Sequence, residues 1–223
     1  MELGQGFGVE LDKAQLKTPA KAVLAVPTRA LAQLIADEWG AQEGLVDPET
    51  MPTTRWANAA IDKVSVQRED VISMLAEYGG SDLLCYRADH PDELFEQQRM
   101  AWDPVLEWAE NSLNAPLSTT RGVLPIAQPN HSLIRMKNML VALNSFELAA
   151  IHDMITITGS LVLALAVAEE ALQAQQAWTI SRIDEDWQAK LWGEDEEAVN
   201  SARSKSASFL FSQHILQQLQ VSV

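Results

Sequence analysis

The most constraining feature of this sequence is a run of fifteen residues without a charge, MITITGSLVLALAVA, from Met154 to Ala168. A helix needs about 20 apolar residues to span a bilayer. Asp153 on one side and Glu169 on the other end the run before that length. We therefore predict a helix at the centre of a protein core rather than a membrane span. Gly159 and Ser160 within the run predict a helix break or a point of close helix approach.

The charge balance of the chain excludes some classes of partner. Its 223 residues include 16 Lys and Arg against 31 Asp and Glu, a formal net charge of −15 at pH 7. A field of this sign repels phosphate backbones and anionic lipid, so we expect neither nucleic-acid binding nor membrane insertion. One cysteine cannot form an intramolecular disulfide, and the first residues lack the basic and apolar segments of a signal peptide. We therefore expect a cytoplasmic protein.

The beginning of the chain has the pattern of short strands. The segment FGVEL alternates apolar and polar side chains from Phe7, and a second extended run ends before Pro27. From Thr28 the period becomes helical, with Thr28 as a candidate N-cap and Gly40 as a C-terminal stop. We predict a small antiparallel β domain with its exit helix over residues 1–40.

The remainder, residues 41–223, has mainly helical patterns. Pro104 is predicted to interrupt one helical pattern and start the next. Asn144, with Glu147 three residues later, resembles a capping box at the start of another helix. The segment AWTISRIDEDWQAKLWG predicts a helix that ends at Gly193, and a last helix follows it. The predicted fold class is therefore α+β, with a larger, mainly α-helical domain after the small β domain.

The segment DLLCYRADHP contains the single cysteine, Cys85, and one of four histidines, His90. If DLLCYR is extended, the thiol lies in line with an apolar neighbour. A reactive thiolate needs a nearby cation or helix N-terminus. Arg87 has the alternation to supply a cation, but His90 lies beyond a turn with nothing to orient it. We interpret Cys85 as a core residue rather than a nucleophile.

The helical segment around Asp184 is the remaining candidate for chemistry. Asp184 and Gln188 are four residues apart and share a helix face, and Glu185 lies close by. These side chains could bind a divalent cation, could be solvated, or could contact a basic partner. Trp187 and Trp192 lie beside them, and a large aromatic residue next to charge is typical of interface hot spots. The residues alone leave the three alternatives open.

Several blocks of the sequence, in order, resemble the Atp12 family, the assembly chaperones of the F1 ATP synthase. The matching blocks are LKTPAKAVLAVPTRALAQLIADEW (Leu16–Trp39), DLLCYRA (Asp82–Ala88), WDPVLEWAE (Trp102–Glu110), TGSLVLALA (Thr158–Ala166) and SRIDEDWQAKLWG (Ser181–Gly193). The resemblance covers most of the chain and is more specific than any single motif.

The resemblance implies a non-enzymatic protein without a cofactor, a monomer that binds the newly made F1 α subunit until it pairs with β. It implies the bacterial cytoplasm, or the mitochondrial matrix for a mature eukaryotic chain. The family's sensitive acidic position maps onto Glu185 or Glu196. The partner-binding residues predicted in this way are Asp184, Glu185, Gln188, Trp192 and Glu196. The alternative hypothesis is a metal-dependent enzyme that uses Asp184, Glu185 and Gln188.

Overall fold

The computed structural model describes residues 2–3 and 6–220, and the chain divides into two compact units. The first unit comprises Met1–Val71, Leu143–Ala150 and His214–Val223, and the second comprises Ile72–Ala142 and Ile151–Gln213. The predicted domain boundary at residue 40 stays a prediction.

The first unit begins with short strands. They are β1 (Glu2–Leu3), β2 (Gly6–Gly8), β3 (Glu10–Leu11), β4 (Ala14–Gln15) and β5 (Ala25–Val26). Strands β1, β2 and β5 form an antiparallel sheet in that order, with Phe7 opposite Val26. Gly6 has a φ of +146°, and a Cβ there would lie 2.5 Å from the Val26 carbonyl oxygen. Asp12 and Lys13, both with positive φ, join β3 to β4 in a hairpin. The predicted antiparallel unit is confirmed.

Two helices follow in the first unit, α1 (Arg29–Gly40) and α2 (Pro52–Ala59), and Ala60–Val64 continues α2 as a π-helical turn. The Thr28 side chain accepts a hydrogen bond from the Leu31 backbone N–H, so the predicted N-cap of α1 is confirmed. Glu38 of α1 accepts hydrogen bonds from the backbone N–H groups of Thr53 (2.6 Å) and Thr54 (2.8 Å). One carboxylate therefore satisfies two of the free donors at the start of α2.

The second unit is almost entirely helical. Its helices are α3 (Arg68–Glu77), α4 (Asp92–Leu113), α5 (Asn130–Ala142), α6 (Ser145–Thr158), α7 (Leu161–Ala168), α8 (Ala174–Ser181), α9 (Ile183–Trp192) and α10 (Glu196–Gln220). Three of them, α3, α6 and α10, also contribute residues to the first unit. Two short strands, β6 (Tyr86–Arg87) and β7 (Thr120–Arg121), pair in parallel. Every residue of α7 from Leu161 to Val167 is buried, and α4 and α8 pack against this helix. The predicted α+β fold class and core helix are confirmed.

Within the part of the chain that the structure describes, every helix is too short or too polar to cross a membrane. The uncharged run itself is divided between α6 and α7, because Gly159 has a φ of +71° and Ser160 caps α7. The Ser160 hydroxyl accepts a hydrogen bond from the Leu163 backbone N–H at 3.0 Å. The predicted helix break at Gly159 and Ser160 is confirmed.

The predicted capping box is present at the start of α6. Asn144 Oδ1 accepts hydrogen bonds from the backbone N–H groups of Phe146 (2.8 Å) and Glu147 (3.0 Å). Glu147 Oε2 accepts in turn from the Asn144 backbone N–H at 2.7 Å. These reciprocal bonds satisfy donors that the helix itself cannot pair.

The predicted interruption at Pro104 is wrong, because α4 continues through it as one helix. Proline inside a helix removes one backbone hydrogen bond. The helix persists because Trp102, Val105 and Leu106 on either side of the proline are buried, whereas Pro104 itself is exposed. Burial of the apolar face outweighs the lost bond.

Two other segments differ from the predicted elements. The single helix predicted up to Gly193 is two helices, α8 and α9, separated at Arg182. The Ile180 carbonyl of α8 accepts a hydrogen bond from the indole N–H of Trp102 at 2.7 Å, so a tertiary contact stabilises the end of α8. The segment DLLCYR is not fully extended either, because Leu83–Cys85 form a 3-10 turn before β6.

Candidate functional site

Helices α8, α9 and α10 line an open groove of about 1000 Å³ in the second unit. The lining runs along α8 and α9 from Gln175 to Gly193, and along α10 as far as Leu210. Helix α9 has a single buried residue, Ile183, at its first position. Most of α9 is therefore available to face the groove or solvent.

Two tryptophans on this groove have different environments. The ring of Trp178 lies 6.2 Å from the ring of Phe209, which is fully buried, so Trp178 is fixed against the core. Trp192, at the end of α9, is 86% exposed. A side chain of this size left in water forgoes a favourable burial of roughly 1.5–3 kcal/mol or more. Trp192 is therefore a candidate anchor for a partner.

Small side chains form the α10 side of the groove. Ala198, Ala202 and Ser206 all line it, and their spacing of four residues places them on one helix face. Ala189 of α9 also lines the groove. The groove therefore combines small side chains on α10 with a large exposed aromatic residue, Trp192.

Acidic residues line the groove at the first turn of α9 and where α9 leads into α10. Glu185, Asp186, Glu194 and Asp195 line the groove, and Glu196 and Glu197 begin α10 directly after them. Arg182 lies 3.4 Å from Glu185 and 3.8 Å from Asp186. Both carboxylates are more than half exposed, so these ion pairs contribute little stability. The other basic residues of the lining are Arg203 and Lys205.

The structure places the predicted partner-binding residues as follows. Glu185, Gln188 and Trp192 all line the groove. Glu196 is exposed at the first residue of α10, next to Asp195 of the lining. Asp184 differs, because its carboxylate accepts a hydrogen bond from the buried Gln98 of α4. Their role in binding a partner stays a prediction.

Asp184 belongs to a polar network around Gln98, which is 1% exposed. Gln98 Nε2 donates to Asp184 Oδ1 at 2.6 Å, and Gln98 Oε1 accepts from the Ala88 backbone N–H at 2.7 Å. Arg87 donates to the Gln98 carbonyl at 2.9 Å and to Asp103 at 2.7 Å. Burial raises the pKa of the Asp184 carboxyl, and the hydrogen bond from Gln98 offsets part of that rise. The network fixes the start of α9 against α4.

A second buried carboxylate, Asp82, connects its own turn to the start of α7. It accepts hydrogen bonds from the Ser160 hydroxyl (2.8 Å) and from the backbone N–H groups of Val162 (2.9 Å) and Leu84 (3.0 Å). Burial raises the pKa of Asp82 to about 6, although these hydrogen bonds act in the opposite direction. Sequence analysis did not identify Asp82 as a partner of the α7 start, because Ser160 and Val162 lie about eighty residues away.

Cys85 is fully buried, which confirms the interpretation as a core residue. Burial, with a smaller effect of the Asp82 charge, raises the pKa of its thiol to about 12. Arg87 lowers this pKa, as the alternation of the segment suggested, but its effect is the smallest of the three. His90 is exposed.

The side chains named for the alternative metal site have separate partners. Asp184 is bonded to Gln98, whereas Glu185 pairs with Arg182. Over residues 2–3 and 6–220, no group of three or more His, Cys, Asp and Glu side chains is arranged to hold a metal ion.

Sequence analysis missed two features of this region. It did not identify the small-residue face of α10, although the spacing of Ala198, Ala202 and Ser206 is visible in the sequence. It also did not identify Gln98 as a support for α9. A polar residue within the apolar stripe of α4 was the only available signal, and it does not indicate which distant residue is bonded.

Comparison with known proteins places this geometry in a family. The family model described as "ATP12 chaperone protein" matches residues 1–110. The structure of Atp12 from Paracoccus denitrificans superposes with a TM-score of 0.96 at 44% identity, covering 99% of this chain and 94% of that one. The structure of a point mutant of P. denitrificans Atp12p has the same TM-score and coverage, at 43% identity. "Protein atp12, mitochondrial" from Schizosaccharomyces pombe is 27% identical over 202 residues, which are 85% of this chain and 69% of the relative.

Proposed function

Because the chain belongs to the Atp12 family of chaperones for assembly of the F1 ATP synthase, we propose that it binds the unassembled F1 α subunit. In this proposal the chaperone shields the interface of the α subunit until the β subunit pairs with it. The chain acts through its surface and transforms no substrate. We place it in the bacterial cytoplasm as a monomer.

The observation that carries the proposal is the exposed Trp192 at the edge of the α8–α10 groove. Hot spots of protein interfaces are enriched in tryptophan, and they bind best where surrounding contacts exclude water. The groove supplies such surroundings, with small side chains on α10 and a second aromatic residue, Trp178. This combination supports binding of a protein segment better than chemistry on a small molecule.

The physical need for such a chaperone follows from the state of its partner. A subunit without its neighbour exposes an apolar interface, and such patches aggregate. A typical protein interface buries about 1,600 Å² in total, with a few anchors supplying most of the affinity. The binder must protect that surface and still be replaceable. The β subunit can displace the chaperone by burying more area, so no nucleotide is required.

The acidic residues at the groove give the proposal its test. Glu185 and Glu196 are the two candidates for the sensitive acidic position, and both side chains are exposed. We expect Glu185→Lys or Glu196→Lys to weaken binding of the α subunit roughly tenfold or more, because a reversed charge opposes a basic partner. The measurement is co-purification and equilibrium binding with the α subunit of the same organism. Glu107→Lys, at an exposed position of α4 outside the groove, is the matched control.

These binding measurements test the acidic site and the proposed function separately. Loss of binding in either groove variant, with normal unfolding and normal binding by Glu107→Lys, supports the site. Normal binding by both groove variants rejects the acidic site. Failure of the unmodified chain to bind the α subunit rejects the proposed function itself.

A further inference from the structure

We infer that the groove of α8, α9 and α10 receives an amphipathic helix of its partner, with basic residues at the end that lies beside Trp192. This inference rests on the proposed function, in which the partner is the F1 α subunit. To that function it adds the conformation of the bound segment, its length and the end at which its basic residues lie.

The length of the groove fits about three helical turns. Its α10 side runs from Ala198 to Leu210, twelve residues apart. At 1.5 Å per residue this distance is about 18 Å. A helical segment of about twelve residues therefore matches the groove. Trp192 precedes the turn into α10, and Trp178 contacts Phe209, next to Leu210.

The character of the walls favours a helix over an extended peptide. The lining comes from α8, α9, α10 and the turn between the last two, and none of the described strands contributes to it. An extended peptide gains affinity by pairing its backbone with a sheet edge. Helical walls offer no such edge, so an extended occupant would lose backbone hydrogen bonds to water without replacing them. A helix satisfies its own backbone groups.

The small residues of α10 permit close helix packing. Ala198, Ala202 and Ser206 form one face of α10 along the groove. Helix axes approach to about 8 Å where the contact residues are small, and to about 10 Å where they are large. Leucine-sized side chains of an incoming helix therefore have room against this face. Trp192 can cover the apolar stripe of that helix from the side.

The charges of the groove lining determine in which direction the partner helix lies. Glu194 and Asp195 lie just after Trp192 in the turn between α9 and α10, and Glu196 and Glu197 come next to them, whereas Glu185 near Trp178 is paired with Arg182. The basic residues Arg203 and Lys205 lie farther along α10, roughly two helical turns beyond this acidic cluster. Complementary charge therefore places lysine or arginine of the incoming helix beside Trp192, and neutral or acidic residues at the other end.

The test uses site-specific photo-crosslinking to the complete α subunit. p-Benzoylphenylalanine is placed singly at Ala198 or Ser206 in the groove, and at Ser204 as a control. Ser204 belongs to the same helix, is exposed and does not line the groove. Crosslinked residues of the α subunit are then identified by mass spectrometry, after binding of each variant has been measured.

The spacing of the crosslinks distinguishes the conformations. Ala198 and Ser206 are eight residues apart on α10, about 12 Å along its axis. We expect both positions to crosslink to one α-subunit segment, at residues about eight apart for a helix, with lysine or arginine at the end near Ala198. An extended segment would give residues about four apart, because a strand rises about 3.3 Å per residue.

Each result decides the inference. Helical spacing within one basic-ended segment supports it. Spacing of about four residues, crosslinks from Ser204 alone, or bound α subunit that crosslinks at neither groove position overturns it and leaves the proposed function standing. Absence of binding by the unmodified chain overturns both.

Discussion

At the scale of single residues, the acidic side chains of this chain have two distinct physical roles. Asp82 is fully buried and pairs with Ser160 and two backbone N–H groups, whereas Glu185 is exposed on the groove. An unburied carboxylate keeps its hydration and can meet a basic partner. A buried carboxylate must replace hydration with hydrogen bonds, and Asp82 does so imperfectly, since its pKa is raised to about 6.

The raised pKa of Asp82 predicts a specific pH dependence of stability. The folded state holds the Asp82 proton more tightly than the unfolded state does, so its stabilising contribution is complete below about pH 4 and is lost as pH rises through about 6. Between pH 5 and pH 7.5 we expect the unmodified chain to lose about 1 kcal/mol more of its unfolding free energy than Asp82→Asn loses. Urea unfolding at both pH values measures the difference. Equal losses in the two proteins, or a larger loss in Asp82→Asn, would contradict the assigned environment of Asp82.

Residue identity alone did not distinguish these roles. Asp184 and Glu185 are adjacent in the sequence, yet one is bonded to the buried Gln98 and the other lines the groove. Local spacing correctly predicted that the pair lies on a helix. Which carboxylate faces a neighbouring helix depends on where α4 packs, and that information is spread over distant parts of the chain.

At the scale of elements, sequence analysis succeeded where the cause is local. The N-cap at Thr28 and the capping box at Asn144 depend on residues two or three positions away, and both are present. It failed where a tertiary contact determines whether a helix continues or ends. Helix α4 continues through Pro104 because its flanks are buried, and the α8–α9 break at Arg182 coincides with the bond from Trp102 to Ile180.

The attachment of α9 to α4 gives a prediction at this scale. Gln98→Leu removes the donor to Asp184 and the acceptor for the Ala88 N–H. Leaving a buried polar group unpaired costs about 1–3 kcal/mol, so we expect a loss of about that size in unfolding free energy. Gln97→Leu, at the exposed neighbouring position, is the control, with an expected change within about 0.5 kcal/mol. Equal effects of the two substitutions in urea unfolding would show that the network does not hold α9.

At the scale of the whole molecule, the chain combines a strong negative charge with an exposed tryptophan, Trp192, at the edge of its groove. The net charge of −15 favours solubility and rapid encounter with a basic surface. The groove in the second unit offers a limited area, so binding can be strong enough to protect a partner and weak enough to be reversed. In the proposed function, protection by surface coverage is stoichiometric, since each α subunit needs its own chaperone.

The measurement that tests this account most directly is light scattering by the unassembled α subunit, mixed at equal molar ratio with the chain and without nucleotide. We compare the unmodified chain with Trp192→Ala, which removes the exposed aromatic residue of the groove, and with Leu191→Ala, which truncates an exposed residue of α9 outside the groove lining. We predict that the unmodified chain and Leu191→Ala suppress aggregation, whereas Trp192→Ala, folded to the same extent, suppresses it clearly less. Equal suppression by all three would contradict this account.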